Sequence, residues 1–184
     1  LIVYSGSFGE KDGFPYILRA FKNLLDNYHN SKLIATGKPS KYYPIENVLK
    51  LVNDLKIKDN FIYLGLVSRE ELKFINQNAD LLLVCRSNSE YANFGFPWKL
   101  GEYLLTKNPI VATKVGDIEL YLKNNGEIFL AEPQNEESIY NAMKNVFDDY
   151  EKAKQIANNG YNKALTVFDY INETKQLIGF IQKM

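Results

Sequence analysis

Short apolar runs alternate with stretches of helical periodicity along this chain, and this alternation constrains the fold more than any other feature. The strand candidates are residues 1–5, 32–36, 60–64, 80–85, 109–113 and 127–130. Between them, apolar residues such as Val48, Leu51, Val52 and Leu55 repeat with the spacing of one helical face. Strands separated by helices require βαβ units and a parallel sheet that is covered on both faces.

The pattern predicts an α/β protein with a Rossmann-like, doubly wound parallel sheet of about six strands in the order 3-2-1-4-5-6. Helices should cover both faces, and the chain should end in a helical tail, since no strand candidate follows residue 130. Glycines come directly after the first three strand candidates, at Gly6, Gly37 and Gly65, and Gly116 follows shortly after the fifth. Ligands of doubly wound folds bind at the carboxyl ends of the strands, so we expect the site there.

Charge, length and composition exclude several classes of function. Lys and Arg total 22 and Asp and Glu total 22, so the chain lacks the basic surface of a nucleic-acid binder. No apolar run approaches the roughly 20 residues that a membrane-spanning helix needs. A single cysteine, Cys85, and a single histidine, His29, exclude an internal disulfide and a His/Cys metal cluster. The lone cysteine predicts a cytoplasmic protein, and we expect neither a metal nor a cofactor.

Two segments carry candidate chemistry, and the first is the glycine-containing turn at residues 4–13. The backbone amides of such a turn suit phosphate oxygens. The dinucleotide pattern G-x-G-x-x-G is absent, since Gly6, Gly9 and Gly13 have the wrong spacing. A plain turn between strand and helix is the alternative interpretation.

The second segment, residues 86–105, is the stronger one. A polar loop ends in Gly95-Phe96-Pro97, and a helix should begin close to Pro97. Its free amides, from Lys99 to Gly101, would point into the crevice, with Glu102 one turn in. A carboxylate there can accept two hydrogen bonds from the vicinal diol of a ribose. Trp98 would either pack against the protein or stack on a ligand. The alternative interpretation of the whole segment is that residues 95–97 simply end a loop and that Glu102 is a solvated residue.

The run 95–104, followed by Pro109-Ile110-Val111-Ala112-Thr113, resembles glycosyltransferase family 4, a retaining family with two Rossmann-like domains. Further segments resemble the carboxyl-terminal domain of that family in the same order, namely residues 5–13, 32–37, 67–72 and 79–80. The resemblance covers roughly residues 1–165. It implies the donor-binding half of a hexosyltransferase of polysaccharide biosynthesis. Such an enzyme transfers a sugar, with retention, from a nucleoside-diphosphate sugar to a glycan or lipid-linked acceptor.

The resemblance also implies a role for individual residues. Glu102 would hold the ribose hydroxyls, and the amides of Leu100 and Gly101 would receive the diphosphate. The turn Gly65-Leu66-Val67 would lie against the base. The remaining residues implied for the donor site are Gly6 and Ser7 in the first phosphate loop, and Gly95 and Phe96 in the second segment.

Three departures from the family pattern affect these roles. Phe94 stands where a glutamate contacts the donor sugar, and the substitutes on the same loop are Asn88, Glu90 and Asn93. Ser7 stands where an arginine is frequent. Asp12 stands where a lysine is frequent, with Lys11 one position earlier. The candidates to neutralise the diphosphate are therefore Lys11, Lys99 and Arg86; Glu102, Lys99 and Lys11 are the catalytic candidates.

The chain begins at Leu1 within an apolar run, which predicts a fragment of a longer enzyme. Residues 1–168 would form the donor-binding domain. Residues 169–184 would form a helix that returns to a missing amino-terminal domain, because its apolar residues surround much of the helix. The acceptor would bind to that missing domain, which could also attach the protein peripherally to the inner face of the membrane. The fragment alone would then be inactive.

Two other functions fit the same residues. A nucleotide-sugar epimerase of the same architecture would release a free epimer without an acceptor. A non-catalytic Rossmann-like interaction domain would not bind the nucleotide sugar at all, and the Phe94 departure keeps this possibility open.

Overall fold

The computed structural model describes residues 1–9, 12–41 and 43–183, and they fold around one six-stranded sheet. Every strand pair is parallel, and the strand order is β3-β2-β1-β4-β5-β6. The strands are β1 (Ile2–Ser5), β2 (Leu33–Thr36), β3 (Phe61–Gly65), β4 (Leu81–Val84), β5 (Ile110–Thr113) and β6 (Phe129–Ala131). The predicted fold class and strand order are confirmed, and the predicted strand ends differ from the observed ones by at most two residues.

Helices connect the strands, and three more follow the last one. They are α1 (Phe14–Leu24), α2 (Ile45–Asp54), α3 (Arg69–Gln77), α4 (Glu90–Asn93), α5 (Trp98–Leu104), α6 (Ile118–Tyr121), α7 (Glu136–Asp148), α8 (Tyr150–Val167) and α9 (Tyr170–Ile181). Side chains at the amino ends cap several of them, as Ser68 does for α3 and Asn135 for α7. None of the helices in the described ranges is long and apolar enough to span a bilayer.

The apolar side chains form two cores, one on each face of the sheet. Successive side chains of a strand point to opposite faces, so Ile2 and Tyr4 belong to one core and Val3 to the other. The first core is covered by α1, α2 and α7, and the second by α5 and α6. Burial on both faces explains why β4 is apolar at every position.

The last helix differs from the others because, among its residues whose burial the structure describes, none is buried. Its large apolar side chains are all exposed, from 49% for Ile171 and Ile178 to 76% for Tyr170. This agrees with the expectation that part of the helix is exposed. Its assignment to a second domain stays a prediction.

Candidate functional site

A crevice of about 550 Å³ opens at the carboxyl edge of the sheet, beside β1 and β4. The strand order reverses between these two strands, since the chain runs outward from β1 to β3 and then crosses back to β4. Such a switch point is where doubly wound folds bind their ligands. The lining residues are Tyr4, Ser7, Asp12, Val84, Cys85, Arg86, the segment 94–99 and Glu102. The two segments that the sequence analysis selected therefore meet in one cavity.

The loop after β1 is held in place by contacts between backbones. The amide of Gly6 donates to the carbonyl of Thr36 at 2.9 Å. Gly37 has a φ of +136°, and a Cβ atom there would lie 2.0 Å from the carbonyl oxygen of Gly6. Only glycine permits this close approach of two strand ends. The end of β2 thus holds the backbone of the first predicted phosphate loop in place.

Within this loop, Ser7 donates from its hydroxyl to the Asp12 carboxylate at 2.7 Å. The Tyr4 hydroxyl donates to the carbonyl of Ser7, which holds the turn against the end of β1. Ser7 and Asp12 line the crevice together. Lys11, predicted to neutralise the diphosphate, lies outside the described residues.

Lys99 lines the crevice and brings its amine to the end of β1. Its Nζ donates to the carbonyl of Ser5 and lies 5.4 Å from the centre of the Tyr4 ring. A Cβ atom on Gly6 would come within 2.6 Å of Nζ, so a glycine there keeps the loop backbone beside the amine. Burial lowers the pKa of Lys99, the Asp12 carboxylate raises it, and the Arg86 guanidinium lowers it further. Lys99 is thus a partly desolvated cation that faces the predicted phosphate loop.

Two tyrosines that no sequence motif pointed to support this arrangement. Tyr103 on α5 shares a 2.5 Å hydrogen bond with the Ser5 hydroxyl, and burial raises its pKa to about 12. Burial, with a contribution from Asp12, raises the pKa of Tyr4 well above its usual range. Both stay neutral hydrogen-bonding groups. Both could have been found from their positions in the sequence. Tyr4 ends the apolar run of β1, and Tyr103 follows Lys99 by one helical turn.

The start of α5 differs in one respect from the prediction. The helix begins at Trp98 directly after Pro97, as expected. The amide of Leu100, however, donates to the carbonyl of Pro97 at 2.9 Å. The prediction that this amide is free is wrong, because the first turn closes with a tight three-residue hydrogen bond. Gly101 is half-buried and lines a neighbouring cavity instead of the crevice, and a Cβ atom there would contact nothing outside its own helix.

Glu102 is exposed and lines the crevice, as its position one turn into α5 predicted. Gly95 and Phe96 are half-buried and line it as well. Phe94, which stands in place of the family glutamate, is 87% exposed at the same crevice.

The proposed substitutes for that glutamate lie elsewhere. The Asn93 side-chain amide donates to the Asn88 side-chain oxygen at 2.6 Å, and the Asn93 oxygen accepts from the amide of Gly116 at 3.4 Å. Asn88, Glu90 and Asn93 are exposed but are not among the residues that line the crevice. The two asparagines stabilise the loop that carries Gly95.

Leu66 and Val67 form a separate surface. They follow β3 and line a cavity between that loop and α3, together with Leu64 and Phe74. Leu66 is 74% exposed. The structure therefore places the predicted base-contacting turn at the same sheet edge but outside the crevice itself.

Trp98 is 95% exposed, so the packing role that was one of its two predicted roles is wrong. Its neighbours in the chain, Pro97 and Leu100, are buried, and Trp98 itself lines the crevice.

The strand order and the crevice at its switch point place this domain in the Rossmann-like class of α/β proteins. The chain belongs to the family described as glycosyl transferases group 1, whose family model matches residues 1–163. Among curated protein sequences, none matches this chain.

Several solved structures share the fold. HepE of Anabaena in complex with UDP superimposes with a TM-score of 0.86 at 18% identity, over 100% of this chain and 49% of that one. The carboxyl-terminal domain of LpcC from Francisella tularensis, a glycosyl transferase group 1 family protein, has a TM-score of 0.80 at 17% identity. The match covers 92% of this chain and 86% of that one. Sucrose-phosphate synthase of Thermosynechococcus elongatus has a TM-score of 0.78 at 17% identity, and the match covers 99% of this chain and 45% of that one. The chain spans about half the length of HepE and of the synthase.

Proposed function

We propose that this chain is the donor-binding half of a family 4 glycosyltransferase that takes its sugar from a nucleoside-diphosphate sugar. The observation that carries the proposal is the crevice in which Lys99, the Gly6 loop and Glu102 converge at the switch point of the sheet. Membership of the glycosyl transferase group 1 family supports it. The complexes of HepE with UDP and with UDP-glucose support it further by analogy of fold.

In this proposal Lys99 contacts the diphosphate. Its buried amine lies beside the carbonyl of Ser5 and faces a loop in which Gly6 carries no side chain. A charge-assisted hydrogen bond to a phosphate oxygen is short and strong. As the bond between sugar and diphosphate breaks, negative charge grows on the leaving diphosphate. A cation already fixed at that position stabilises the charge without reorganising. Arg86 and Lys11 remain further candidates for the same role.

Glu102 accepts hydrogen bonds from the ribose hydroxyls in the proposed complex. It lies on α5 just beyond Lys99, so the ribose would follow the diphosphate along the crevice toward the β3 edge. The Leu66–Val67 turn lies at that edge, where an exposed apolar side chain can cover one face of a base.

The wider activity rests on the same proposal. The enzyme would transfer the sugar with retention of configuration to a glycan or lipid-linked acceptor. That acceptor would meet the donor at a preceding domain, on which the apolar faces of α9 would pack. We place the enzyme in the cytoplasm, with peripheral attachment to the inner face of the membrane through that domain.

Calorimetric titration with UDP tests the ribose role. Glu102→Ala should weaken UDP binding by about 1–3 kcal/mol, because it removes charge-assisted hydrogen bonds to the ribose. The fold should survive because Glu102 is exposed. Glu151→Ala, which removes an exposed glutamate at the start of α8, is the matched control and should bind UDP like the wild type.

Unchanged affinity of the Glu102 variant would show that the ribose lies elsewhere. Absence of binding of UDP, GDP and ADP alike to the wild-type chain would refute the proposed function and favour an interaction domain.

A further inference from the structure

A second cavity, of about 680 Å³, adjoins the donor crevice. The two cavities share Gly95, Phe96 and Trp98 as lining residues. The rest of its lining comes from Gly101 of α5, from α6 with the preceding Asp117, and from residues around the junction between α8 and α9. We call it the aromatic cavity, because three packed rings and one free indole form its apolar surface.

The three packed rings come from distant parts of the chain. The centroid of Phe96 lies 5.7 Å from that of Tyr121, with the ring planes at 84°, and 5.0 Å from that of Phe168. Tyr121 and Phe168 are 5.7 Å apart, which closes the triangle. Rings that contact each other in these geometries hold one another in position. The wall is therefore preformed.

The fourth aromatic group is Trp98, whose side chain lies almost entirely in solvent. Exposing an indole leaves a large apolar area in water, which a folded chain normally avoids. Neither core contains Trp98. A ligand ring that covers its face would remove that area from water.

Two carboxylates complete the lining. Asp117 precedes α6 as its amino-terminal cap residue, and its side chain makes no capping hydrogen bond. Glu173 extends from the first turn of α9. Both side chains are exposed. The cavity thus combines aromatic faces with anionic hydrogen-bond acceptors, and two carboxylates would repel a second phosphate group.

This combination fits a neutral sugar ring. The C–H face of a pyranose is apolar and weakly positive, so it stacks on the negative face of an aromatic ring. The hydroxyls at the ring edge donate to carboxylates. Transfer also requires the acceptor hydroxyl beside the donor carbon, and Trp98 borders both cavities.

We propose that the aromatic cavity binds a sugar ring of the acceptor, with Trp98 as its stacking platform and Asp117 and Glu173 as its hydroxyl acceptors. The proposal rests on the proposed function, since it takes the crevice as the donor site. It assigns part of acceptor recognition to this domain in addition to the preceding one.

Trp98 is the single tryptophan of the chain and lines both cavities, so its emission responds to a ligand in either one, and the crevice is filled before the sugar is added. The chain would first be saturated with UDP and then titrated with the methyl glycosides of glucose, galactose, mannose and N-acetylglucosamine. We expect a saturable change in emission with at least one of them. Asp117→Asn and Glu173→Gln should each weaken that binding about tenfold, through the loss of a charge-assisted acceptor.

Glu119→Gln is the matched control, because it removes an exposed acid of α6 that does not line the cavity. It should titrate like the wild type, and all three variants should keep the wild-type affinity for UDP. The proposal is overturned if no methyl glycoside gives a saturable change, or if Asp117→Asn and Glu173→Gln titrate like the control. It is also overturned if UDP-glucose, unlike UDP, abolishes sugar binding, since the donor sugar would then occupy the cavity.

Failure of the proposed function looks different in this experiment. The wild-type chain would then show no response to UDP, GDP or ADP, whereas the methyl glycosides, titrated alone, would still report on the aromatic cavity.

Discussion

At the scale of single residues, Lys99 shows how one side chain links the two halves of the crevice. It belongs to α5, yet its amine donates to the end of β1 and faces the Tyr4 ring. Burial, the neighbouring Arg86 and the opposing Asp12 all act on its pKa. A cation in this position is costly to desolvate, and an anionic ligand would compensate that cost.

Lys99→Met keeps the aliphatic stem and removes the charge. We expect UDP affinity to fall about tenfold, since one charge-assisted contact to the diphosphate is lost. Affinity for uridine, which has no phosphate, should stay the same. Calorimetry with both ligands measures the difference, and Lys50→Met, at an exposed position on α2, serves as the control. Equal losses for UDP and uridine would mean that Lys99 acts on the fold and not on the phosphates.

At the scale of elements, α3 begins with a complete capping box beside the predicted base-contacting turn. Glu71 donates from its amide to the Ser68 hydroxyl at 3.2 Å, and its carboxylate accepts from the amide of Ser68 at 2.8 Å. These hydrogen bonds lower the pKa of Glu71. The box fixes where the turn at Leu66 and Val67 ends.

Ser68→Ala should lower the free energy of unfolding by about 1 kcal/mol, the usual cost of losing a serine cap. Ser31→Ala, in the loop before β2, should change it much less. Chemical denaturation of the two variants and the wild type measures both effects. If Ser68→Ala unfolds at the wild-type denaturant concentration, the cap does not stabilise this helix.

At the scale of the whole molecule, α9 is the element that the domain itself leaves unburied. Its apolar side chains are exposed on all sides, although α7 and α8 before it are packed. We propose that a preceding domain covers it in a longer enzyme.

Hydrogen exchange provides the test. In this chain the amides of 170–181 should exchange much faster than those of α7, because few buried contacts protect them. A longer chain that includes the preceding domain should slow their exchange. Equal protection of 170–181 in both proteins would argue against an interdomain role for α9.

The sequence by itself determined the topology and the edge of the sheet at which the crevice opens. Alternating apolar runs and helical periods depend on local geometry, and the rules for βαβ connections then leave few arrangements. The position of Glu102 in the crevice could also be predicted from the local sequence, because it depends only on where α5 begins.

Only the tertiary structure decided which groups meet within that edge. It paired Asn88 with Asn93, closed the Leu100 amide onto Pro97, separated Leu66 from the crevice and left Trp98 in solvent. It also brought together Ser5 and Tyr103, which are 98 positions apart in the chain. The contact between Ser5 and Tyr103 is set by the packing of distant segments against one another, and no local pattern in the sequence encodes that packing.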